Sequence, residues 1–367
     1  VRHRFYSICP YFAMFPEAFV EKHLAASRHR GIVFDPFCGR GTTVFQSLIQ
    51  GRNAAGCDVY PVAICVSGAK ADVLVRLGQL EDLCAGTKPG ASVPSGLEEF
   101  FALCFAPGTL HQVMFLRSAL NWEQCRTDRF IAALALGALH GESHRSPNCF
   151  SNRMPRTIST KPAYSIRWWK RHGYDPPERD VFEILRCMTR FRFVTPPPER
   201  TASIRKVDAR HASNSFPSLH GAVTNIITSP PYLDTTNYRE DQWLRCWFLG
   251  EEPLARVDDD DGRHTNVEKY WAFLREAWAG ISKLLADEAL FVVRIGGRRL
   301  RKDEIRSNLL ATMSAGLDRQ VTLIDQGVTS EVKRSQANSF RGSKPTASVE
   351  HDFCFSIAWK PRLHEGS

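Results

Sequence analysis

The chain has 367 residues, 43% of them apolar, and a formal charge of +9. That length exceeds one minimal domain and suits a core carrying a large insertion, and no run of eighteen or more apolar residues marks a membrane span. The eleven cysteines are scattered without a C-x-x-C pair, so neither a zinc nor a dithiol site is indicated, no metal is expected, and free thiols point to a reducing cytoplasm.

Val1 to Phe5 is charged and aromatic and lacks the apolar centre of a secretory signal. Val1 in place of Met indicates a start that lies upstream or has been processed. Phe15-Pro16 opens a helical pattern through Phe19, Val20 and Leu24. Gly31 to Phe34 reads as a short buried strand ending in Asp35-Pro36. Thr42 to Gln50 is a helix stopped by Gly51, and Ala54 to Cys57 leads a second strand to Asp58. Strand, helix, strand at this spacing is a βαβ unit and implies a parallel sheet.

From about 76 to 200 that rhythm fails. Leu97 to Phe105 and Phe130 to Leu139 carry helical spacing. Gly141 to Pro162 is polar and rich in Arg, Pro and Asn. Ile166 to Arg171 holds Trp168-Trp169 between basic residues, and Val181 to Phe193 is again helical. Residues 140–210 contain fifteen Lys/Arg against seven Asp/Glu, so nearly all the net charge sits there. Such a concentration suits a surface that meets phosphates, or a solvated basic linker.

The βα rhythm returns at Ser203 to Val207, a strand followed by Asp208. Val223 to Thr228 is a strand running into Ser229-Pro230-Pro231-Tyr232. Tyr270 to Leu285 is an amphipathic helix and Ala289 to Ile295 an apolar strand. Val321 to Asp325 and Asp352 to Trp359 read as the last strands. The expected organisation is therefore residues 1–75 as the first part of a ligand-binding domain, 76–200 as an inserted, mostly helical region, and 201–367 as the second part. The expected fold class is α/β, a doubly wound Rossmann-like sheet.

Asp35-Pro36-Phe37-Cys38-Gly39-Arg40-Gly41-Thr42-Thr43 ends a strand in a carboxylate and opens a helix through a Gly-x-Gly turn. Gly39 and Gly41 let the backbone approach a ligand, and the helix start offers free amides. Asp58, at the end of the next strand, is placed to accept ribose hydroxyls. The pair leaves dinucleotide, nucleotide or S-adenosylmethionine (SAM) binding open; no G-K-[ST] follows, so it is not a Walker loop.

In Ser229-Pro230-Pro231-Tyr232, two prolines fix φ and remove two backbone donors. The result is a stiff loop presenting acceptors. The Ser229 hydroxyl and Pro230 carbonyl can receive the two N–H groups of an exocyclic amine and draw charge from it during alkylation. Tyr232 offers a flat face to a flipped base.

Together these residues resemble the SAM-dependent amino-methyltransferases of DNA, which modify cytosine N4 or adenine N6. The family's D-P-F-C-G-S-G-T-T-like loop is matched from Asp35 to Thr43 except at Arg40, and its [DNS]-P-P-[YFW] loop is matched by Ser229 to Tyr232. Phe15-Pro16-Glu17 resembles its F-P-E helix near the methionine end of SAM. Gly56 to Pro61 resembles its G-x-D-x-x-P ribose turn, Asp208 an acidic residue beside the adenine, and His351-Asp352-Phe353 its closing strand. The resemblance covers about residues 11–75 and 203–360. It implies SAM as cofactor, bound by Phe15, Pro16, Asp35, Phe37, Cys38, Gly39, Gly41, Thr42, Thr43, Asp58, Val59 and Asp208. It implies Ser229, Pro230, Pro231 and Tyr232 as catalytic residues and DNA as partner, in a prokaryotic or phage-like cytoplasm. The insertion departs from the family by preceding the Asp208 strand. Serine at the head of the loop favours cytosine N4.

DNA contacts are expected from Arg145, Arg153, Arg156, Arg167, Trp168, Lys170 and Arg171 in the insertion, with Asn148 and Asn152 at base edges. Arg298 and Arg299, in a basic stretch from Arg294 to Lys302, and the stretch Lys333 to Lys344 are expected to clamp the target strand. Asp258 to Asp261 reads as a solvated acidic loop. Competing readings are an adenine-N6 enzyme, an RNA amino-methyltransferase, a silent nucleic-acid-binding subunit and a dehydrogenase; the last leaves Ser229 to Tyr232 idle. Reversing the charge of Arg167, Lys170 and Arg171 is expected to weaken DNA binding in a fluorescence-anisotropy titration and leave SAM binding intact. Unchanged DNA affinity would contradict that assignment.

Overall fold

In the computed structural model, which describes residues 2–10, 15–71, 76–88, 92–141, 148–154, 161–233, 242–253, 266–296, 300–331 and 349–359, one sheet organises half of the chain. Its strands are β1 (Ile32–Asp35), β2 (Ala54–Asp58), β3 (Ala202–Lys206), β4 (Val223–Thr228), β5 (Leu285–Gly296), β6 (Gln320–Leu323), β7 (Val328–Glu331) and β8 (Val349–Ala358). The helices are α1 (Glu17–Ala26), α2 (Thr42–Ile49), α3 (Pro61–Gly68), α4 (Leu77–Gly86), α5 (Glu98–Cys104), α6 (Pro107–Ala119), α7 (Arg126–Ala138), α8 (Pro162–His172), α9 (Val181–Arg192), α10 (Ala212–Ser215), α11 (Trp243–Phe248), α12 (Val267–Ile281) and α13 (Lys302–Gly316).

The strand order is β3-β2-β1-β4-β5-β8-β6, with β7 also paired to β8. β3, β2, β1, β4 and β5 run parallel, and β8 runs antiparallel to β5, β6 and β7. Successive side chains of a strand point to opposite faces, and both faces are filled. Phe34, Ala55, Ile226, Phe291, Val293 and Phe355 pack with Tyr270, Leu274 and Trp278 of α12 and Ile305 and Leu309 of α13. Their neighbours Val33, Ala54, Ile227, Val292 and Cys354 pack with Phe19, Val20 and Leu24 of α1 and Val44 of α2. The doubly wound α/β sheet expected from the sequence is thus present. β7 and α13 were not foreseen. Only one of the four β7 side chains is even partly buried, so it carries little of the alternation that marks a strand.

The chain divides into two compact units. The sheet unit comprises residues 13–67, 198–235 and 259–367. The other comprises residues 1–12, 68–197 and 236–258, and all its regular elements among the described residues are helical. It takes in more than the expected insertion of 76–200, because flanking pieces complete its core. The buried Arg245 donates to the Leu136 and Pro10 carbonyls, and the Trp122 indole donates to the Leu249 carbonyl. Trp247 packs on Phe101 at 4.6 Å between ring centroids. No single described helix is long and apolar enough to cross a membrane.

Within the sheet unit, α12 lies tightly on the turn after β3. A Cβ added at Gly280 would sit 2.3 Å from the Ala209 carbonyl oxygen and 2.5 Å from the Arg210 Cα. Replacing a helical glycine by alanine ordinarily gains about 1 kcal/mol. Here the clash is with backbone, and overpacking of that kind costs about 1–3 kcal/mol. Gly280→Ala is therefore expected to lower the thermal midpoint by several degrees. A raised midpoint would show that α12 and the turn move apart freely.

Candidate active site

All five parallel strands point their C-terminal ends to one edge of the sheet, and the order reverses direction at β1, between β2 and β4. Ligands of open α/β sheets bind at such an edge. β1 ends there in Asp35, β2 in Asp58, β4 runs into Ser229, and β5 ends in Gly296. The antiparallel β8 begins at the same edge, with Glu350 opposite Gly296.

The turn after β1 has the geometry its glycines permit. Gly39 and Gly41 take φ of 47° and 74°, and Gly41 starts α2 without a side-chain cap. Both oxygens of Asp58 brace this region: Oδ2 accepts from the Gly39 amide at 2.9 Å and Oδ1 from the Tyr60 amide at 3.0 Å. Burial raises the Asp58 carboxyl above the usual carboxylate range, against the pull of those amides. Each oxygen keeps a lone pair, so a ribose diol can still be accepted. Val59 beside it is 38% exposed, an apolar surface next to that acceptor.

Asp35 is fully buried. Its Oδ1 accepts from the Thr228 hydroxyl at 2.6 Å and the Phe37 amide at 3.1 Å, while Oδ2 has no hydrogen-bond partner. Burial pushes its carboxyl up to about 7, partly offset by the bonds from Thr228 and Phe37. A donor delivered at Oδ2, such as an amino-acid ammonium group, would complete the carboxylate and favour its charged form. The orphan oxygen, the capless helix start and Asp58 together fit the amino-acid and ribose ends of SAM.

The other expected cofactor residues divide by what they touch. Thr43 donates to the Ile227 carbonyl at 2.9 Å, binding α2 to β4, and Thr42 accepts from the buried Arg40 at 3.3 Å. Cys38 turns its thiol inward, where burial pushes its pKa well up, and presents only backbone to the turn. Phe15 packs in the α1 core, Pro16 caps α1, and Phe37 lies near Phe273 and Trp278. Asp208 is engaged by Arg210, which donates from Nε at 3.0 Å and Nη2 at 2.9 Å.

Ser229 and Pro231 are half-buried and Pro230 is buried. The Ser229 hydroxyl lies 3.4 Å from the Tyr232 oxygen and donates to it, and Tyr232 donates to Glu350 Oε1 at 2.8 Å. Tyr232 is only 7% exposed, and its ring joins the apolar core. The flat face expected to meet a flipped base is instead turned inward, and the ring is tethered through its hydroxyl.

Arg294 lies in the interior. Its sequence neighbourhood suggested a clamp on the target backbone, but the side chain is buried. It donates to Asp352 from Nε at 2.6 Å and Nη2 at 2.8 Å, lies 3.6 Å from Glu350, and stacks 4.1 Å from the Phe19 ring centroid. Alternation along β5 gives the signal: Arg294 succeeds Leu290 and Val292 on the α1 face. Glu350 carried no signal, since only pairing of β8 with β5 brings it to Tyr232. A cavity of about 550 Å³ lies elsewhere, over β5 and β8 beside α1, lined by Lys22, His23, Leu290, Asp352 and Cys354 among others. None of the turn or Ser229–Tyr232 residues lines it.

In the helical unit, Arg153, Arg167 and Arg171 are exposed, and Lys170 pairs with Glu99. Trp168 packs at a tilt against His172 at 4.5 Å and Tyr174 at 5.3 Å between ring centroids, and Arg153 covers the Tyr174 ring at 5.1 Å. Trp169 and Asn152 are interior residues instead. The Trp169 indole donates to the Arg153 carbonyl, and the Asn152 amide donates to the Leu103 and Tyr174 carbonyls. Asn152 is thus committed to the fold and does not meet a base edge. Arg145, Arg156, Arg298, Arg299, Asp258 to Asp261 and Lys333 to Lys344 lie outside the described residues.

Residues 4–66 match a family model described as DNA methylase. The matched segment contains the Asp35–Thr43 turn and Asp58, and it supports a methyltransferase with SAM as cofactor. A search of curated proteins found no match. Among solved structures, an rRNA methyltransferase, aviRa, from Streptomyces viridochromogenes aligns over 95% of this chain and 87% of its own, at 12% identity and TM-score 0.33. A 16S rRNA (adenine(1408)-N(1))-methyltransferase from Catenulisporales acidiphilia aligns over 95% and 94%, at 11% identity and TM-score 0.33. The YcgJ protein from Bacillus subtilis aligns over 94% and 98%, at 7% identity and TM-score 0.34.

The raised Asp35 carboxyl has a consequence for stability. The folded chain holds this proton more tightly than the unfolded chain, so the group's contribution is full below about pH 4 and is lost as pH rises to about 7. The loss amounts to a few kcal/mol. Asp35→Asn removes it. In calorimetric scans the midpoint of Asp35→Asn relative to the parent is expected to climb between pH 4 and 7 and then level off. Parallel curves would contradict the buried charge.

Proposed function

We propose that this chain transfers a methyl group from SAM to the exocyclic amine of a base in DNA, with cytosine N4 as the target. The observation that carries this reading is the seating of Ser229-Pro230-Pro231-Tyr232 at the end of β4, joined to the Asp35 turn by the Thr228–Asp35 and Thr43–Ile227 hydrogen bonds. Those bonds hold a cofactor turn and an acceptor loop side by side at the strand edge.

When bound, SAM supplies an electrophilic methyl group on a sulfonium. Asp58 and the Gly39–Gly41 turn would hold its ribose and Asp35 its ammonium. The Ser229 hydroxyl and Pro230 carbonyl receive the amine's N–H groups and orient its lone pair. Pro230 and Pro231 keep those acceptors from turning away, because their φ angles are fixed. Serine at the head of the loop favours cytosine over adenine. The DNA methylase match and the concentration of positive charge between residues 140 and 210 support DNA as the partner. In the helical unit, Arg167 and Arg171 meet phosphates and Trp168 stacks on a base.

Pro231→Ala frees one φ without opening a core cavity. It is expected to lower methyl transfer to DNA about 100-fold, because the Pro230 carbonyl is no longer held in line with the amine, while SAM affinity by calorimetry stays within about threefold. Tyr232→Ala is expected to abolish transfer and also to cost about 3–5 kcal/mol of stability, because the ring is buried. Full activity in either variant would contradict the proposed role of the loop.

A further inference from the structure

We propose that Glu350 receives the proton released by methyl transfer, through the hydroxyls of Ser229 and Tyr232. The inference rests on the methyl-transfer reading above and adds to it the route by which the amine loses its proton.

Transfer of methyl to a neutral amine leaves the nitrogen positively charged, and a proton must depart. Of the two acceptors that orient the amine, only one connects onward. The Pro230 carbonyl has no proton of its own to pass along. The Ser229 hydroxyl does: it donates to the Tyr232 oxygen at 3.4 Å, and Tyr232 donates to Glu350 Oε1 at 2.8 Å. Every donor in this chain points the same way, from the acceptor loop to a carboxylate. The first link is long for an O–H···O bond, and such links tighten when a substrate fills the site.

The step balances. The nitrogen lone pair forms the N–C bond, and the C–S electrons return to sulfur. The nitrogen gives a proton to the Ser229 oxygen, whose own proton moves to Tyr232, whose proton moves to Glu350. Both hydroxyls are restored. A sulfonium and a carboxylate become a neutral thioether and a neutral acid.

Glu350 is the carboxylate suited to this. Asp352 is held bidentate by Arg294 at 2.6 and 2.8 Å, whereas Glu350 stands 3.6 Å from the same guanidinium. The cluster of Arg294, Asp352 and Glu350 carries one excess negative charge in a largely buried setting, and protonation of Glu350 neutralises it. Among the described residues, the groups facing Glu350 are Tyr232 from the loop, Arg294 from β5 and Asp352 further along β8, with Ser330 opposite it on the paired β7. Burial raises the Glu350 carboxyl above its ordinary value, partly offset by the Tyr232 hydrogen bond and by Arg294, and so favours proton uptake.

The test compares the parent chain with Glu350→Gln and Tyr232→Phe. Single-turnover methylation of DNA is followed from pH 5 to 9, with calorimetry of SAM binding alongside. With SAM saturating, so that the cofactor's ammonium holds Asp35 charged, the parent rate is expected to fall on the acid side through the ionisation of Glu350. Both variants are expected to be slower by about 100-fold, to bind SAM within about threefold of the parent, and to lose the acid limb. Carbon-13 NMR of labelled glutamate is expected to show one carboxyl titrating in the same range and absent from Glu350→Gln. Tyr232→Phe keeps the ring and the carboxylate, so it decides the matter if Glu350→Gln fails to fold. Either variant at parental rate with the parental acid limb would overturn the relay and leave the methyl-transfer reading standing. No transfer by the parent chain would overturn both.

Discussion

The hydrogen bond between Thr228 and Asp35 joins two loops far apart in the chain. Asp35 ends β1 and begins the glycine turn; Thr228 ends β4 and begins the Ser229 loop. A second bond, from Thr43 to the Ile227 carbonyl, runs beside it. A carboxylate this deeply buried is costly unless its oxygens are satisfied, yet one oxygen of Asp35 remains without a partner. The cost is concentrated where a cofactor donor would offset it. The sheet, its two apolar faces and the close seat of α12 on the turn after β3 fix the strand ends that this bond links.

Much of this edge was legible in the sequence because its signals are local. A βαβ rhythm, two glycines before a helix, a carboxylate at each strand end and two adjacent prolines are all read within a few residues. β4 was legible for the same reason: five of the six residues from Val223 to Thr228 are β-branched, and turn residues bound the segment on each side. The features that escaped depend on contacts between distant segments. Glu350 gains its meaning only from the register of β8 on β5. Arg294 looked like part of a basic loop because Arg298, Arg299 and Arg301 come after it, whereas strand alternation turns it inward to Asp352. Asn152 looked like a reader of base edges from its polar, basic surroundings, and instead it ties the Leu103 and Tyr174 carbonyls together. Residues 236–258 join the helical unit for reasons that lie in Arg245 and Trp247, both buried there, and composition does not announce this.

Charge in the helical unit likewise divides once side chains are placed. Arg186 is spent on Glu81 and Glu183, and Lys170 on Glu99. Exposed ion pairs of this kind contribute little stability, but they reduce the charge offered to a polyanion. Arg153, Arg167 and Arg171 stay exposed, and Trp168, His172 and Tyr174 cluster beside them, His172 stacked on Tyr174 and Trp168 tilted against both. A basic surface with stacked aromatic rings suits a nucleic-acid partner better than a uniformly charged linker would.

The proposed chemistry ends on one atom, the exocyclic nitrogen of cytosine in DNA. The most direct measurement is mass spectrometry of nucleosides from DNA and RNA incubated with the purified chain and SAM carrying an isotopically labelled methyl group. Labelled N4-methyldeoxycytidine is the expected product. Labelled N6-methyldeoxyadenosine alone would contradict the choice of base, and label confined to RNA, or no label at all, would contradict the proposed activity on DNA.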